Sequence, residues 1–276
     1  MFIGNQKAVW KIVALAAIVL IPLSATAQHS VSKSKKKKPR ASVMKPAVFR
    51  PTCNLDSNSV GLYFYPANLG AKWTLRTISQ VLDPNNKVLK TDTTYSFEQI
   101  ISDSNRTMQG LPVLVCHSST PYHAGEDSSA TLKEVEYYID DSVIMTVFNH
   151  SITSGMNHFM LVNPLRLGAS WKDMVDDTIR STIIATKEPV SVPYGNFSNA
   201  LVVSTPAGFG QMAKYFVPGV GIVKVIFRGI PPQANGTFVV TTELIALDRG
   251  NLKRSIKYRF VAPVETLKKG QRKLKH

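Results

Sequence analysis

Between residues 60 and 262 apolar and polar side chains alternate with the period of a β-strand, in short runs broken by turn-forming residues. Alternation of this kind buries one face of a strand and leaves the other in water. Trp73-Thr74-Leu75-Arg76-Thr77-Ile78-Ser79 is rich in β-branched residues, and Ile256-Lys257-Tyr258-Arg259-Phe260 alternates without a fault. Further strands are expected at 112–117, 132–139, 143–149, 158–163, 179–187, 199–205, 213–217, 221–228 and 237–247. Asp140-Asp141-Ser142 separates two of them as a tight hairpin turn, because Asp and Ser bond readily to nearby backbone N–H groups. Residues 228–236 form a longer loop, and Phe97 to Ser104 is the one helical candidate. So many short strands point to an all-β fold: a single antiparallel domain, either a sandwich or a barrel-like sheet. One β domain of this kind accommodates about two hundred residues.

One octet recurs. Pro66-Ala67-Asn68-Leu69-Gly70-Ala71-Lys72-Trp73 returns as Pro164-Leu165-Arg166-Leu167-Gly168-Ala169-Ser170-Trp171, with Pro, Leu, Gly, Ala and Trp in step. Each copy reads as a turn that delivers a Trp into the start of a strand. The two indoles are expected to anchor a core, since a Trp buries roughly 150–250 Å²; a paired ligand platform is the other reading.

The N-terminus carries Lys7 and Lys11 and no acid before the apolar run from Ile12 to Leu23, followed by Ala25-Thr26-Ala27. That run is shorter than the roughly 20 residues a membrane-spanning helix needs. The order of basic region, apolar region and small residues is that of a secretory signal peptide, with cleavage expected after Ala27; an uncleaved N-terminal anchor is the other reading. An exported chain with no later apolar span follows. Cys53 and Cys116 then meet an oxidising compartment, where they are able to pair. A bridge closing a loop of about 60 residues would contribute ~4 kcal/mol on the chain-entropy model. Alternatively Cys116 is a small buried hydrophobe in the run 111–116.

The net charge of +15, from 33 bases and 18 acids, is distributed unevenly. Residues 28–50 carry Lys33, Lys35, Lys36, Lys37, Lys38, Arg40, Lys45 and Arg50 and no acid. Residues 249–276 carry ten bases against Glu265, which leaves thirteen bases and seventeen acids for residues 51–248. The expected organisation is therefore a signal peptide (1–27), a disordered basic linker (28–50), a β-rich domain (51–262) and a basic tail (263–276). The cluster Lys33, Lys35, Lys36, Lys37, Lys38 and Arg40 suits attachment to an anionic envelope surface, lipid or polysaccharide, each base contributing ~1 kcal/mol; the other reading is a solvated spacer. Nucleic acid is not an expected partner, because the basic segments lack interleaved aromatic stacking platforms.

Chemistry-bearing motifs are sparse. Cys116-His117 with His123, Glu126 and Asp127 is the most metal-like grouping, but its spacing follows no zinc pattern. His150 and His158 read as turn residues, as do Asp140-Asp141 and Asp176-Asp177. No nucleophile elbow, Walker loop or dinucleotide fingerprint is present, so no cofactor and no catalytic residue is assigned.

The order of four motifs resembles the TapB-like family of bacterial secreted proteins of unknown function. They are Tyr65-Pro66 to Trp73-Thr74, Pro164 to Trp171, Val192-Pro193-Tyr194-Gly195-Asn196-Phe197-Ser198-Asn199-Ala200-Leu201-Val202-Val203, and Phe216-Val217-Pro218-Gly219-Val220-Gly221-Ile222-Val223-Lys224, with Thr242-Glu243-Leu244 soon after. The resemblance covers residues 60–247 and implies an exported β domain, a curved sheet or half-barrel similar to envelope lipid-carrier proteins, with no assigned catalytic residues. Three functions are then expected in order: a non-catalytic envelope protein that binds or scaffolds, a periplasmic carrier of an apolar, lipid-like ligand, and a hydrolase without a recognisable signature.

Overall fold

A computed structural model describes residues 60–63, 68–126, 131–232 and 235–250. A short 3₁₀ turn, Val60–Tyr63, precedes twelve strands: β1 Lys72–Leu82, β2 Val88–Arg106, β3 Pro112–Ser119, β4 Leu132–Ile139, β5 Val143–Val147, β6 His158–Val162, β7 Ser170–Lys172, β8 Arg180–Val192, β9 Gly195–Ala207, β10 Gly210–Val217, β11 Gly221–Gly229 and β12 Thr237–Asp248. They form one sheet in the order β6-β5-β4-β3-β2-β1-β12-β11-β10-β9-β8-β7, with every pairing antiparallel. Two six-strand meanders are thus joined back to back through β1 and β12, and the sheet curls into a nearly closed barrel. The all-β expectation holds, in its single curved-sheet form.

The alternation seen in the sequence shows directly in burial. Along β11, Gly221, Val223, Val225, Phe227 and Gly229 are buried, and the residues between them are not. All twelve strands contribute to one buried cluster, among them Trp73, Ile100, Leu114, Tyr137, Ile144, Leu161, Trp171, Ile183, Leu201, Phe216, Val223 and Leu244. A cluster fed from the whole circuit of strands is the inside of the barrel. Val60 of the 3₁₀ turn is fully buried in it, and Leu62 O accepts from Gly219 N at 2.7 Å. The long β8–β9 hairpin bends over the same end, where Tyr194 N donates to Leu244 O at 3.1 Å. A smaller cluster, Val113, Met145 and Val147 with Ile152 and Met174, lies on the opposite face of β3–β5.

The repeated octet adopts one geometry twice over its described residues. Gly70 N donates to Ile100 O at 2.9 Å, and Ile100 N donates to Ala71 O at 2.9 Å; Gly168 N and Ile183 O, then Ile183 N and Ala169 O, do the same at 2.8 Å each. Both glycines have positive φ, 85° and 79°, a conformation that penalises any residue with a Cβ. Trp73 and Trp171 follow as the second residue of β1 and of β7, so the octets mark the first strand of each meander.

Phe97 to Ser104 is not a helix but part of the nineteen-residue β2. The register against β3 shifts between Ile100 and Ser102 and again between Ser102 and Asn105. Bulges of this kind insert unpaired residues and break the period of two, which leaves Phe97, Ile100 and Ile101 at a spacing that imitates a helix. The expected strand at 256–260, the signal peptide, both basic segments and Cys53 lie outside the described residues.

Candidate functional site

Strand register fixes which polar side chains face inward. Lys214 of β10 lies opposite Val203 of β9 and Val225 of β11, and shares its face with Met212 and Phe216. Val203 and Phe216 belong to the inner cluster, so the ammonium points into the barrel. Burial pulls its pKa below the usual lysine range, and the negative charge of Asp173 offsets part of that fall. On the same face Ser181 Oγ and Thr205 Oγ1 are 2.8 Å apart, and Thr77 Oγ1 and Thr242 Oγ1 are 2.9 Å apart. These hydroxyls satisfy one another, as buried hydroxyls must.

The two ends of the sheet meet beside this belt. His158 Nδ1 of β6 lies 3.0 Å from Oδ2 of Asp173, just past β7, and Trp171 Nε1 donates to Phe159 O at 3.4 Å. Burial alone would raise the Asp173 carboxyl. The hydrogen bond from His158, those from the Val175 and Met174 N–H groups and the nearby imidazole outweigh it, so the pKa falls below the usual range. His158 is therefore a strand residue that ties the barrel's edges together, not a turn residue; its backbone also exchanges bonds with Thr146 Oγ1. His150 does sit in a turn, with φ 53°, and its Nδ1 lies 2.6 Å from Oε1 of Glu136 on β4.

On the outer face Glu243 of β12 accepts from Arg76 of β1 and from Lys224 of β11, both at 3.0 Å. The three are register partners across three adjacent strands. Burial would raise the Glu243 carboxyl, but the two hydrogen bonds and two positive charges hold it below the usual range. Lys224 closes the motif that begins at Phe216 and Glu243 lies in Thr242-Glu243-Leu244, so two sequence signatures become one ion pair. Sequence reading missed it because only the pairing of β11 with β12 brings them together.

The metal-like grouping separates. Cys116 is fully buried on the inner face beside Glu98. Burial first, and the carboxylate of Glu98 second, push that thiol well above its ordinary value, which makes it a poor nucleophile at neutral pH. His117, its chain neighbour, faces the other way and lies 3.8 Å from Glu134. His123 braces an exposed loop, 3.3 Å from Asp92 and 3.5 Å from Glu126. Among the described residues no group of three or more His, Cys, Asp and Glu converges on a point. Asp127, Cys53 and the cluster Lys33, Lys35, Lys36, Lys37, Lys38 and Arg40 fall outside those residues, so the pairing of Cys53 with Cys116 does too. Among the described residues no helix is long and apolar enough to cross a membrane.

No family model matches the chain, and no curated protein does. Solved structures similar to it include a candidate exported protein with a YmcC-like fold from Bacteroides fragilis, at 12% identity and TM-score 0.41, covering 67% of this chain and 98% of that one. A candidate lipoprotein from Parabacteroides distasonis is similar at 13% identity and TM-score 0.36, over 67% of this chain and 97% of that one.

Proposed function

We propose that this chain is an exported, non-catalytic envelope protein of the TapB-like kind, whose β domain binds or scaffolds while its basic segments hold it to an anionic surface. Export rests on the ordered signal-peptide regions, with the mature chain beginning at Gln28. The observation that carries the non-catalytic reading is how the polar side chains are used. Ser181 with Thr205, Thr77 with Thr242, His158 with Asp173, His150 with Glu136, and Glu243 with its two cations are bonded across strands, where each fastens the sheet. A nucleophile needs a base to take its proton and a third group to orient that base. Here Ser181 and Thr77 are bonded to the hydroxyls of Thr205 and Thr242, not to an imidazole base. The packed inner cluster also favours a scaffold over a carrier, since it brings large side chains such as Trp73, Phe216, Ile100 and Leu114 to full burial.

Attachment rests on charge. Residues 28–50 hold eight bases and no acid, acids outnumber bases in residues 51–248, and residues 249–276 carry nine net positive charges. The test is sedimentation of the mature chain with vesicles of phosphatidylcholine, with and without phosphatidylglycerol. Binding should require the anionic lipid and weaken steeply as salt rises, because exposed charges are screened over about 10 Å at 0.1 M. Deleting residues 29–45 should weaken binding and leave the thermal unfolding of the β domain in place. Unchanged adhesion at low salt after removal of both basic tails would refute attachment by the tails.

A further inference from the structure

The capped end of the barrel holds the 3₁₀ turn and Trp73, whose Nε1 donates to Val220 O at 3.3 Å; the opposite end is built from hairpin turns. β1 runs away from Trp73 to a turn at 83–87, and the β11–β12 and β9–β10 connections arrive at the same end. The three adjoin: Arg228 Nη2 donates to Asn86 Oδ1 at 2.9 Å, and Ile230 N donates to Phe209 O at 3.3 Å. Large aliphatic side chains stand out from this rim. Leu89 is 63% exposed, Ile230 62% and Val88 47%. Leu89 is the residue left over where the β1–β2 register slips, since Val81 pairs with Lys90 and Leu82 with Val88. Beside them Lys87 of the turn and Arg228 near the end of β11 are exposed. Asp83 caps its own turn, its Oδ1 accepting from the N–H groups of Asn85 and Lys87 at 2.8 Å each.

A single exposed Leu calls for no explanation. Three aliphatic side chains at two adjoining strand ends, with two exposed cations beside them, have the composition of a site that enters an anionic lipid interface. A protein partner would need a broad complementary surface, whereas a lipid headgroup layer requires only that projecting apolar tips be flanked by cations. We propose that this rim docks on an anionic lipid surface, with Leu89, Ile230 and Val88 entering the headgroup boundary and Lys87 and Arg228 facing lipid phosphate. The rim deepens the attachment reading by naming the surface of the folded domain that meets the lipid, and it stands on residues other than the basic tails.

The experiment uses the mature chain, phosphatidylcholine vesicles containing phosphatidylglycerol, and the charge-neutral double variant Leu89→Ser with Ile230→Ser. Partitioning should fall by about tenfold for each aliphatic side chain withdrawn, with the dependence on salt preserved. Lys87→Gln with Arg228→Gln should flatten that dependence. Leu89→Trp adds an emitter at the rim, whose fluorescence should be quenched by brominated lipid. Both mutation effects should persist in a chain that lacks residues 29–45. Rim substitutions that matter where tail deletions do not would leave the rim standing and remove the tails from the mechanism. Wild-type partitioning of the double variant, or an added indole emission in Leu89→Trp that brominated lipid leaves alone, overturns the proposal.

Discussion

Glu243→Gln isolates the outer-face ion triad, which lies on the one pairing that joins the two meanders. The Glu243 side chain is 13% exposed and accepts from Arg76 and Lys224 at 3.0 Å each. Hydrogen bonds to charged groups contribute about 1.5–3 kcal/mol net apiece. Gln retains one acceptor for Arg76 but turns an amide donor toward Lys224 and leaves two cations facing a neutral group. A loss of about 3 kcal/mol is therefore expected at neutral pH, which corresponds to a fall in Tm of roughly 10 °C for a domain of this size. The folded-state pKa of Glu243 is depressed. Its stabilisation is thus fully present above the unfolded carboxyl value of about 4.3 and is lost as pH falls through the lower folded value. Thermal unfolding followed by circular dichroism should show the two proteins furthest apart from about pH 5 upward, converging in more acidic solution. Asp177→Asn is the control, because the Lys172–Asp177 pair is 3.8 Å long and its side chains are 55% and 83% exposed; such surface pairs contribute 0 to about 1 kcal/mol. If Glu243→Gln behaves like this control, or its deficit does not change between neutral and acidic pH, the triad does not fasten the meanders.

Two further outcomes follow from the barrel interior. Lys214→Met removes an inward-facing ammonium whose charged form is disfavoured by burial, so the variant should equal or exceed wild type in urea at neutral pH; because the folded pKa is depressed, its advantage should shrink as pH rises through the window below the unfolded lysine value of about 10.4 and vanish above it, and a variant clearly less stable than wild type would show that Lys214 is needed structurally. Trp73→Ala empties the fully packed end of the barrel and should cost about 3–5 kcal/mol, whereas Trp171→Phe gives up mainly the bond to Phe159 O and should cost about 1 kcal/mol, so equal losses in urea unfolding would contradict the division into packed end and seam.

Most of the strands were legible because their turns carry explicit chemistry. Asp140 Oδ1 accepts from Ser142 N at 2.7 Å and Val143 N at 2.8 Å, which is the bonding that made Asp140-Asp141-Ser142 read as a turn. Gly219, with φ 71°, bends the chain in the gap between the strands expected at 213–217 and 221–228. What stayed hidden was set by pairing over distance. Bulges in β2 disguised a strand as a helix, and those between Ile183 and Val190 concealed how far the β8–β9 hairpin runs. Lys214, Glu243 and Asp173 belong to unremarkable strand or loop sequences; their roles arise from which strand lies alongside. The motif resemblance marked Lys224 and Glu243 without indicating that they touch.

The strand order also explains how the barrel is closed so unevenly. Every neighbouring pair except one is joined by a hairpin or short connection, so each meander forms through local contacts, and β1–β12 carries the long-range closure. That closure is a ladder of eleven register pairs with the triad on one face and Thr77–Thr242 on the other. The opposite seam, between β6 and β7, is held by side chains: His158 to Asp173 and Trp171 to the Phe159 carbonyl. Its edge strands are five and three residues long. Short edges offer little unpaired backbone to a second chain, one of the ways proteins avoid edge-to-edge association. The second octet, which ends in Trp171, stands at that seam as the first stands at the β1–β12 ladder. Each Trp therefore enters the packed interior beside one of the two lines along which the meanders meet, and the same turn serves a closure made by backbone in one place and by side chains in the other.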